Sequence, residues 1–360
     1  MFSKKVLASA LAGAALMTAS CGGTGDVSVG KGGTAPSSAP ASAPPLKRSA
    51  VKRPIIVAFG GDVHFEGSLR QRLANPATTF GPIAGTLRRA DLAMVNLETA
   101  VTTGGTPAPG KQFTFRAPQS AFTALRSAGV DVTSMANNHG MDYMEPGLRD
   151  SLAAIRRTRF PTVGIGRNAD EAYKPYRVTV KGNRLAIIGA TQVLDDHLMQ
   201  AWTATDTKGG LASAKNVSRM VEAVREARRG SDVVIVHLHW GEELKECPLP
   251  RQQELARQLV AAGADVVVGG HAHIPLGGGY LGGSYVHYGL GNFLFASAHD
   301  RTANSGVLLL KLQGGKVTKA AWKPARISAG LPLPLSGAAA VTETRRWNGL
   351  RGCTGLTARP

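Results

Sequence analysis

Two short segments of this chain, His237-Leu238-His239-Trp240-Gly241 and Gly269-Gly270-His271-Ala272-His273, place imidazoles directly after apolar runs at residues 233–236 and 266–268. Runs of that length and composition read as buried strands. Side chains alternate along a strand, so His-x-His in an extended segment presents both rings to one side. Neutral imidazole is the commonest metal ligand among side chains, and these spacings therefore point to a metal centre. Three more clusters sit at the ends of apolar runs: Asp62-Val63-His64, Glu98 after Asn96-Leu97, and Asn138-His139. Carboxylates, imidazoles and an amide together suit Mn, Fe or Zn better than Ca or Mg, which prefer oxygen alone. The set is large enough for two divalent transition-metal ions sharing a carboxylate, about 4 Å apart, where they activate water and offset charge on a reacting group.

Such ligands converge only if the strands that carry them lie side by side. The chain repeats an apolar run, a polar turn and an amphipathic stretch, which is the pattern of an α/β fold. Strands are expected over residues 55–59, 92–97, 130–134, 162–165, 185–188, 233–236 and 266–268. Residues 215–229 set Val217, Met220, Val221 and Val224 on one helical face, and residues 250–262 do the same with Leu255, Leu259 and Val260. Two late runs, 307–312 and 317–322, flank Gly314-Gly315 and read as a hairpin. Carboxyl ends of sheet strands are where open α/β sheets build sites, so the clusters fall where a site is expected.

The two ends of the chain read differently from this body. Lys4 and Lys5 precede an apolar stretch, residues 6–17, too short to span a bilayer as a mature helix. It ends in Thr18-Ala19-Ser20-Cys21, similar to the lipobox of bacterial lipoproteins except that Thr18 stands where an aliphatic residue is usual. Residues 1–20 are thus expected to be an export signal, with Cys21 acylated and the protein held on the outer face of the cytoplasmic membrane. The alternative is plain secretion with Cys21 an ordinary residue. Residues 21–52 are rich in Gly, Ser, Ala, Pro and Thr and cannot bury enough surface to offset ordering, as in a tether. One body is expected over residues 53–335, followed by a basic tail, residues 336–360, either docked or disordered. Cys247 and Cys353 either pair, as an oxidising exterior permits, or remain free thiols.

A formal charge of +18 on 360 residues favours a polyanionic partner, with a merely solvated arginine-rich surface as the alternative. An export signal, sparse aromatics and the lack of a recognised motif speak against nucleic acid. His237 reads as a core or supporting histidine, and His197 and His287 as structural or exposed. Asp142 follows His139 closely enough to orient its ring or to cap a helix. Arg116 either contacts an acidic substrate or forms a salt bridge. Asn216-Val217-Ser218 fits a glycosylation sequon but falls in an expected helix.

The ordered set Gly61-Asp62, Asn96-Leu97-Glu98, Phe115-Arg116-Ala117-Pro118, Ala136-Asn137-Asn138-His139, His239-Trp240-Gly241-Glu242-Glu243, Gly270-His271-Ala272-His273 and Tyr288-Gly289-Leu290-Gly291-Asn292-Phe293 resembles the CapA capsule-synthesis (poly-γ-glutamate biosynthesis) proteins. That family is in turn similar to calcineurin-like metallophosphatases. The resemblance implies a four-layer sandwich, two mixed β-sheets packed together and flanked by helices. It implies Asp62, His64 and His273 on a first ion, Glu98 bridging in place of the usual aspartate, and Asn138, His239 and His271 on a second. His139 matches a histidine that protonates a leaving group. Glu243 is characteristic of the CapA set, and with Arg116 it is a candidate for substrate contact. The implied role is in capsule or poly-γ-glutamate biosynthesis, as a hydrolase or transferase on an acidic polymer. The alternatives are a polymer-binding subunit working with membrane synthase subunits, or a phosphoesterase.

Overall fold

The computed structural model describes residues 51–360. The expected leader, the Cys21 lipidation site and the tether up to residue 50 lie outside the described residues. The principal strands along the chain are β1 (Ile55–Val63), β2 (Leu92–Leu97), β3 (Val132–Ser134), β4 (Thr162–Val163), β5 (Tyr176–Val180), β6 (Asn183–Thr191) and β7 (Val233–His239). They continue with β8 (Val266–Gly270), β9 (Gly278–Leu281), β10 (Ser284–His287), β11 (Asn292–Leu294), β12 (Asn304–Gln313), β13 (Lys316–Ser328) and β14 (Leu331–Pro334). The longer helices are α1 (Ser120–Ala128), α2 (Met144–Thr158), α3 (Val217–Arg228), α4 (Pro250–Ala262) and α5 (Gly337–Gly349).

Two mixed sheets result. The first runs β14-β13-β12-β1-β2-β3-β4, with β11 also paired to β1; the second runs β9-β10-β8-β7-β6-β5. Each sheet has a run of parallel strands: β1 to β4, reaching the edge, in one, and β6, β7, β8 and β10 in the middle of the other. Parallel strands buried on both faces read as continuous apolar runs, and β7 and β8 have every residue buried. Val57, Phe59 and Met94 of the first sheet pack against Ile187, Ile235 and Val268 of the second in one core between the sheets. A second core lies under α1 and α2 and a third under α3 and α4. The order is helix, sheet, sheet, helix, the layering that the family resemblance implies. No described helix is long and apolar enough to cross a membrane.

Local chemistry explains the elements. Helix α4 starts on Pro250, whose missing N–H costs nothing at a first helical position, and stops at Gly263 with φ 114°. Asn216 caps α3 by accepting a hydrogen bond from the Arg219 backbone N–H, so the sequon asparagine serves the helix. Gly314 and Gly315, at φ 58° and 79°, form the two-residue turn that joins β12 to β13. The strand expected at 162–165 stops at Val163, because Gly164 at φ 86° turns Ile165 toward Leu211.

Order does not stop at residue 335. Helix α5 buries Trp347, whose indole N–H donates to His287 Nε2 at 3.1 Å and whose ring lies 5.5 Å from that of Trp322. Thr357 then pairs with Tyr280 on the edge strand β9. Cys247 and Cys353, 106 residues apart, are joined by a disulfide, which settles the pairing that the sequence leaves open. The tail is therefore docked, and the boundary at 335 is moved to the end of the chain. A cross-link of this span limits the unfolded ensemble. Cys353→Ser is expected to lower unfolding stability by about 2–5 kcal/mol. Urea unfolding of both forms, with and without reductant, checks this: the wild type should lose the difference when reduced and the variant should not respond.

Candidate metal centre

Strand order brings the clusters together. Asp62 stands near the carboxyl end of β1, Glu98 one residue past β2, and Asn138 and His139 shortly past β3. His239 ends β7, and His271 and His273 follow β8. One atom each from Glu98, His271 and His273 lie within 4.8 Å of one another. Around them, Glu98 Oε1 is 3.4 Å from His239 Nε2 and 4.0 Å from His139 Nε2. Asn138 Oδ1 is 2.8 Å from His239 Nε2, and Asp62 Oδ2 is 3.7 Å from His273 Nδ1. Asp62, Glu98, Asn138, His139, His239, His271 and His273 are thus assembled as the sequence predicts.

The donor set fits a cation. Both Glu98 carboxylate oxygens are buried with no hydrogen-bond partner among the described residues, and so is His271 Nδ1. An unpaired buried carboxylate is costly unless something positive meets it. His271 and His273 adopt φ of 90° and 56°, a left-handed backbone costing about 1–3 kcal/mol each that persists only where surroundings impose it. The glycine before them is equally constrained: a Cβ on Gly270 would sit 2.4 Å from Asp62 Oδ1.

Burial sets the charge states. It lowers His239 to about 4 and holds His139 and His271 well below the usual imidazole range, with neighbouring positive groups adding to the effect. These rings are neutral at pH 7, the form a metal requires. Burial, with Asp62 beside it, drives Glu98 well above the usual carboxylate range. His273 goes the other way: burial opposes its charge, but Glu98, Asp62 and Glu243 outweigh that and raise it.

One predicted residue is placed differently. His64 is not turned into the cluster. Its Nδ1 lies 3.1 Å from the Glu66 backbone N–H, its Nε2 3.1 Å from that of Ala296, and its ring stacks on Phe115 and meets Phe295 edge-on. Those two backbone amides, one from the turn after β1 and one from the segment after β11, hold the ring away from the cluster. Arg116 forms no salt bridge among the described residues; its guanidinium lies over the Tyr143 ring at 4.9 Å. Glu243, at the mouth, places Oε1 3.9 Å from His273 Nε2.

Several supporting residues escape the sequence reading. Lys111, almost fully buried, lies 2.7 Å from Asp142 Oδ1 and donates to the Asn138 carbonyl. Asp142 Oδ2 in turn is 2.5 Å from His139 Nδ1, so Asp142 orients that ring rather than capping a helix. Burial pushes the Asp142 carboxyl up to about 7 against the pull of Lys111. Asn96 donates to Asp62 Oδ1 at 2.9 Å and lies 3.2 Å from His239 Nδ1; Asn292 Oδ1 is 2.8 Å from His273 Nδ1. Both asparagines lie inside the family-like motifs, Asn96-Leu97-Glu98 and Gly291-Asn292-Phe293. Lys111 carries no signal at all: it is one lysine in a Gly- and Pro-rich loop. His237 is fully buried, with neither ring nitrogen partnered among the described residues, and burial lowers it to about 3, in keeping with a core histidine.

The charge states give a test. Glu98 and His273 share protonation that an ion must displace, whereas the other histidines have none to lose. Metal uptake is expected to release protons and to tighten as pH rises. Calorimetric titration in buffers of different ionisation enthalpy measures this directly; zero release would show the pair already deprotonated.

Residues 56–297 match the family model for bacterial capsule synthesis protein PGA_cap. Capsule biosynthesis protein CapA of Bacillus anthracis is 30% identical over 230 residues, covering 63% of this chain and 55% of that protein. A probable polyglutamine synthesis accessory protein of Mycobacterium tuberculosis is 29% identical over 208 residues, 56% of this chain and 55% of that one. The chain thus spans little more than half the length of the curated relatives it matches. A solved phosphatase structure from Mycoplasma pneumoniae aligns with TM-score 0.47 at 14% identity, over 81% of this chain and 98% of that one, a likeness too slight to carry an argument. The family match takes in every residue of the centre, from Asp62 to His273, and the chain belongs to the bacterial capsule synthesis PGA_cap family.

Proposed function

We propose that this protein is a metal-dependent hydrolase or transferase acting on an acidic polymer such as poly-γ-glutamate during capsule biosynthesis, anchored through Cys21 on the outer face of the cytoplasmic membrane. The observation that carries the reading is Glu98: a fully buried carboxylate with no hydrogen-bond partner among the described residues, ringed by three neutral imidazoles and one that its own charge raises. A scaffold has no use for so costly a group.

The residues present fit two divalent ions, with Asp62, Glu98 and His273 on one side and Glu98, Asn138, His239 and His271 on the other. Nitrogen and oxygen donors together suit Mn, Fe or Zn. Ions bound there would polarise a water and offset charge developing on the substrate carbonyl or phosphoryl group. His139 holds a proton position at Nε2 facing Glu98, its ring fixed from behind by Asp142 and Lys111. Phe115, stacked 4.0 Å from His139, excludes water from that flank. The charge of +18, and an Arg116 guanidinium that has no ion pair among the described residues, favour a polyanion over a neutral substrate.

The test is turnover of poly-γ-glutamate, followed by change in polymer length. Chelator is expected to abolish it and Mn or Zn to restore it, while His271→Ala/His273→Ala stays inactive with any metal. Chelator-insensitive turnover would refute the reading. Asp142→Asn is expected to keep its metal and lose about 10²–10⁴-fold in rate, as when a histidine's orienting carboxylate is removed. The name of the mycobacterial relative, a synthesis accessory protein, favours a second reading as a non-catalytic subunit. Capsule made normally in a strain carrying His139→Ala would support that one. Turnover of phosphate esters but not of the polymer would point to a phosphoesterase instead.

A further inference from the structure

The first ion of the proposed centre lacks the imidazole that the family resemblance assigns to it. His64 faces two backbone amides behind Phe115 and Phe295, which leaves Asp62, Glu98 and His273 as the protein ligands. We propose that Glu243 fills the place of His64, supplying a carboxylate oxygen to the ion held by His273. The inference rests on the dinuclear reading above.

Geometry supports it. Glu243 Oε1 lies 3.9 Å from His273 Nε2. Two donor atoms each about 2.0–2.2 Å from one ion can stand up to about 4.2 Å apart, so this pair can share it. The loop that carries Glu243 is fixed at three points. Trp240, its first residue, holds its indole N–H on the Tyr288 carbonyl at 2.8 Å. Leu244, at φ 59°, donates its backbone N–H at 3.0 Å to the carbonyl of Ala272, the residue between the two histidines. Cys247 closes the loop through its disulfide to Cys353.

Charge pairing singles out the same residue. Glu242 is paired with Lys245 at 3.6 Å and Glu246 with Arg301 at 3.0 Å. Glu243 has no basic side chain within ion-pair distance among the described residues; its charged neighbour is His273. A carboxylate left unpaired on a fixed loop beside an imidazole ligand is placed for a cation. Exchanging imidazole for carboxylate also lowers the net charge of the loaded centre by one, which weakens its pull on a polyanion and eases release.

The experiment is metal content and Mn(II) electron paramagnetic resonance of the exported chain, comparing wild type, Glu243→Gln and His64→Gln after equilibrium dialysis. The wild type is expected to hold about two ions with a spin-coupled signal. Glu243→Gln should hold about one, its second site weakened at least about tenfold, with an uncoupled signal. His64→Gln should keep both ions. The fold of each variant is checked by circular dichroism, and a His64→Gln chain that fails to fold is replaced by His64→Asn. The reverse pattern, loss with His64→Gln and none with Glu243→Gln, overturns the inference while leaving the dinuclear reading intact. Two ions in all three proteins overturns it likewise. A wild type that holds no second ion overturns both.

Discussion

One hydrogen bond ties the two sheets together at the point where their chemistry meets. Asp62, from the first sheet, accepts the backbone N–H of His271, from the second, at 3.0 Å across 209 residues of sequence. The other Asp62 oxygen takes Asn96, which also reaches His239. A single buried carboxylate thereby fixes how far apart the strand ends of the two sheets stand. Glu98 can face His239, His271 and His273 only while that spacing holds. The glycines around Asp62 serve the same constraint: a Cβ on Gly61 would fall 1.8 Å from the Gly291 carbonyl oxygen.

The centre is held at a cost to the fold. A carboxylate without partners, neutral buried imidazoles and two histidines in left-handed backbone all oppose stability. The core between the sheets offsets them, and the C-terminal segment adds to it through Trp347, His287 and the Cys247–Cys353 bridge. That bridge also pins the loop bearing Glu243, so closure of the tail and shape of the site mouth are one structural fact. Folds commonly carry local violations at functional sites, and here the violations coincide with the assembled cluster of carboxylates and imidazoles.

Much of this was legible in the chain itself. Apolar runs ending in Asp, Glu, Asn and His located seven residues of the centre, because strand period and strand-end position are local properties. Helices α3 and α4 were readable from a single apolar face each, and the β12–β13 hairpin from Gly314-Gly315. The place of His64 is not legible there, because its ring is held by the backbone amides of Glu66 and Ala296, the latter 232 residues away and brought near only by folding. Lys111 was invisible for a similar reason, since its value comes from Asp142, thirty-one residues on and brought near only by folding.

The sequence alone determined which side chains are available for metal chemistry, their attachment to strand ends and the family to which their order belongs. It did so because ligand type, apolar periodicity and turn residues act over a few neighbouring positions. Tertiary structure decided which of those side chains face one another. It turned His64 away, brought Glu243 and Lys111 in, joined Cys247 to Cys353 and laid the tail on the sheet edge. Each of these depends on distances between segments far apart in the chain, and such distances exist only once the two sheets have packed.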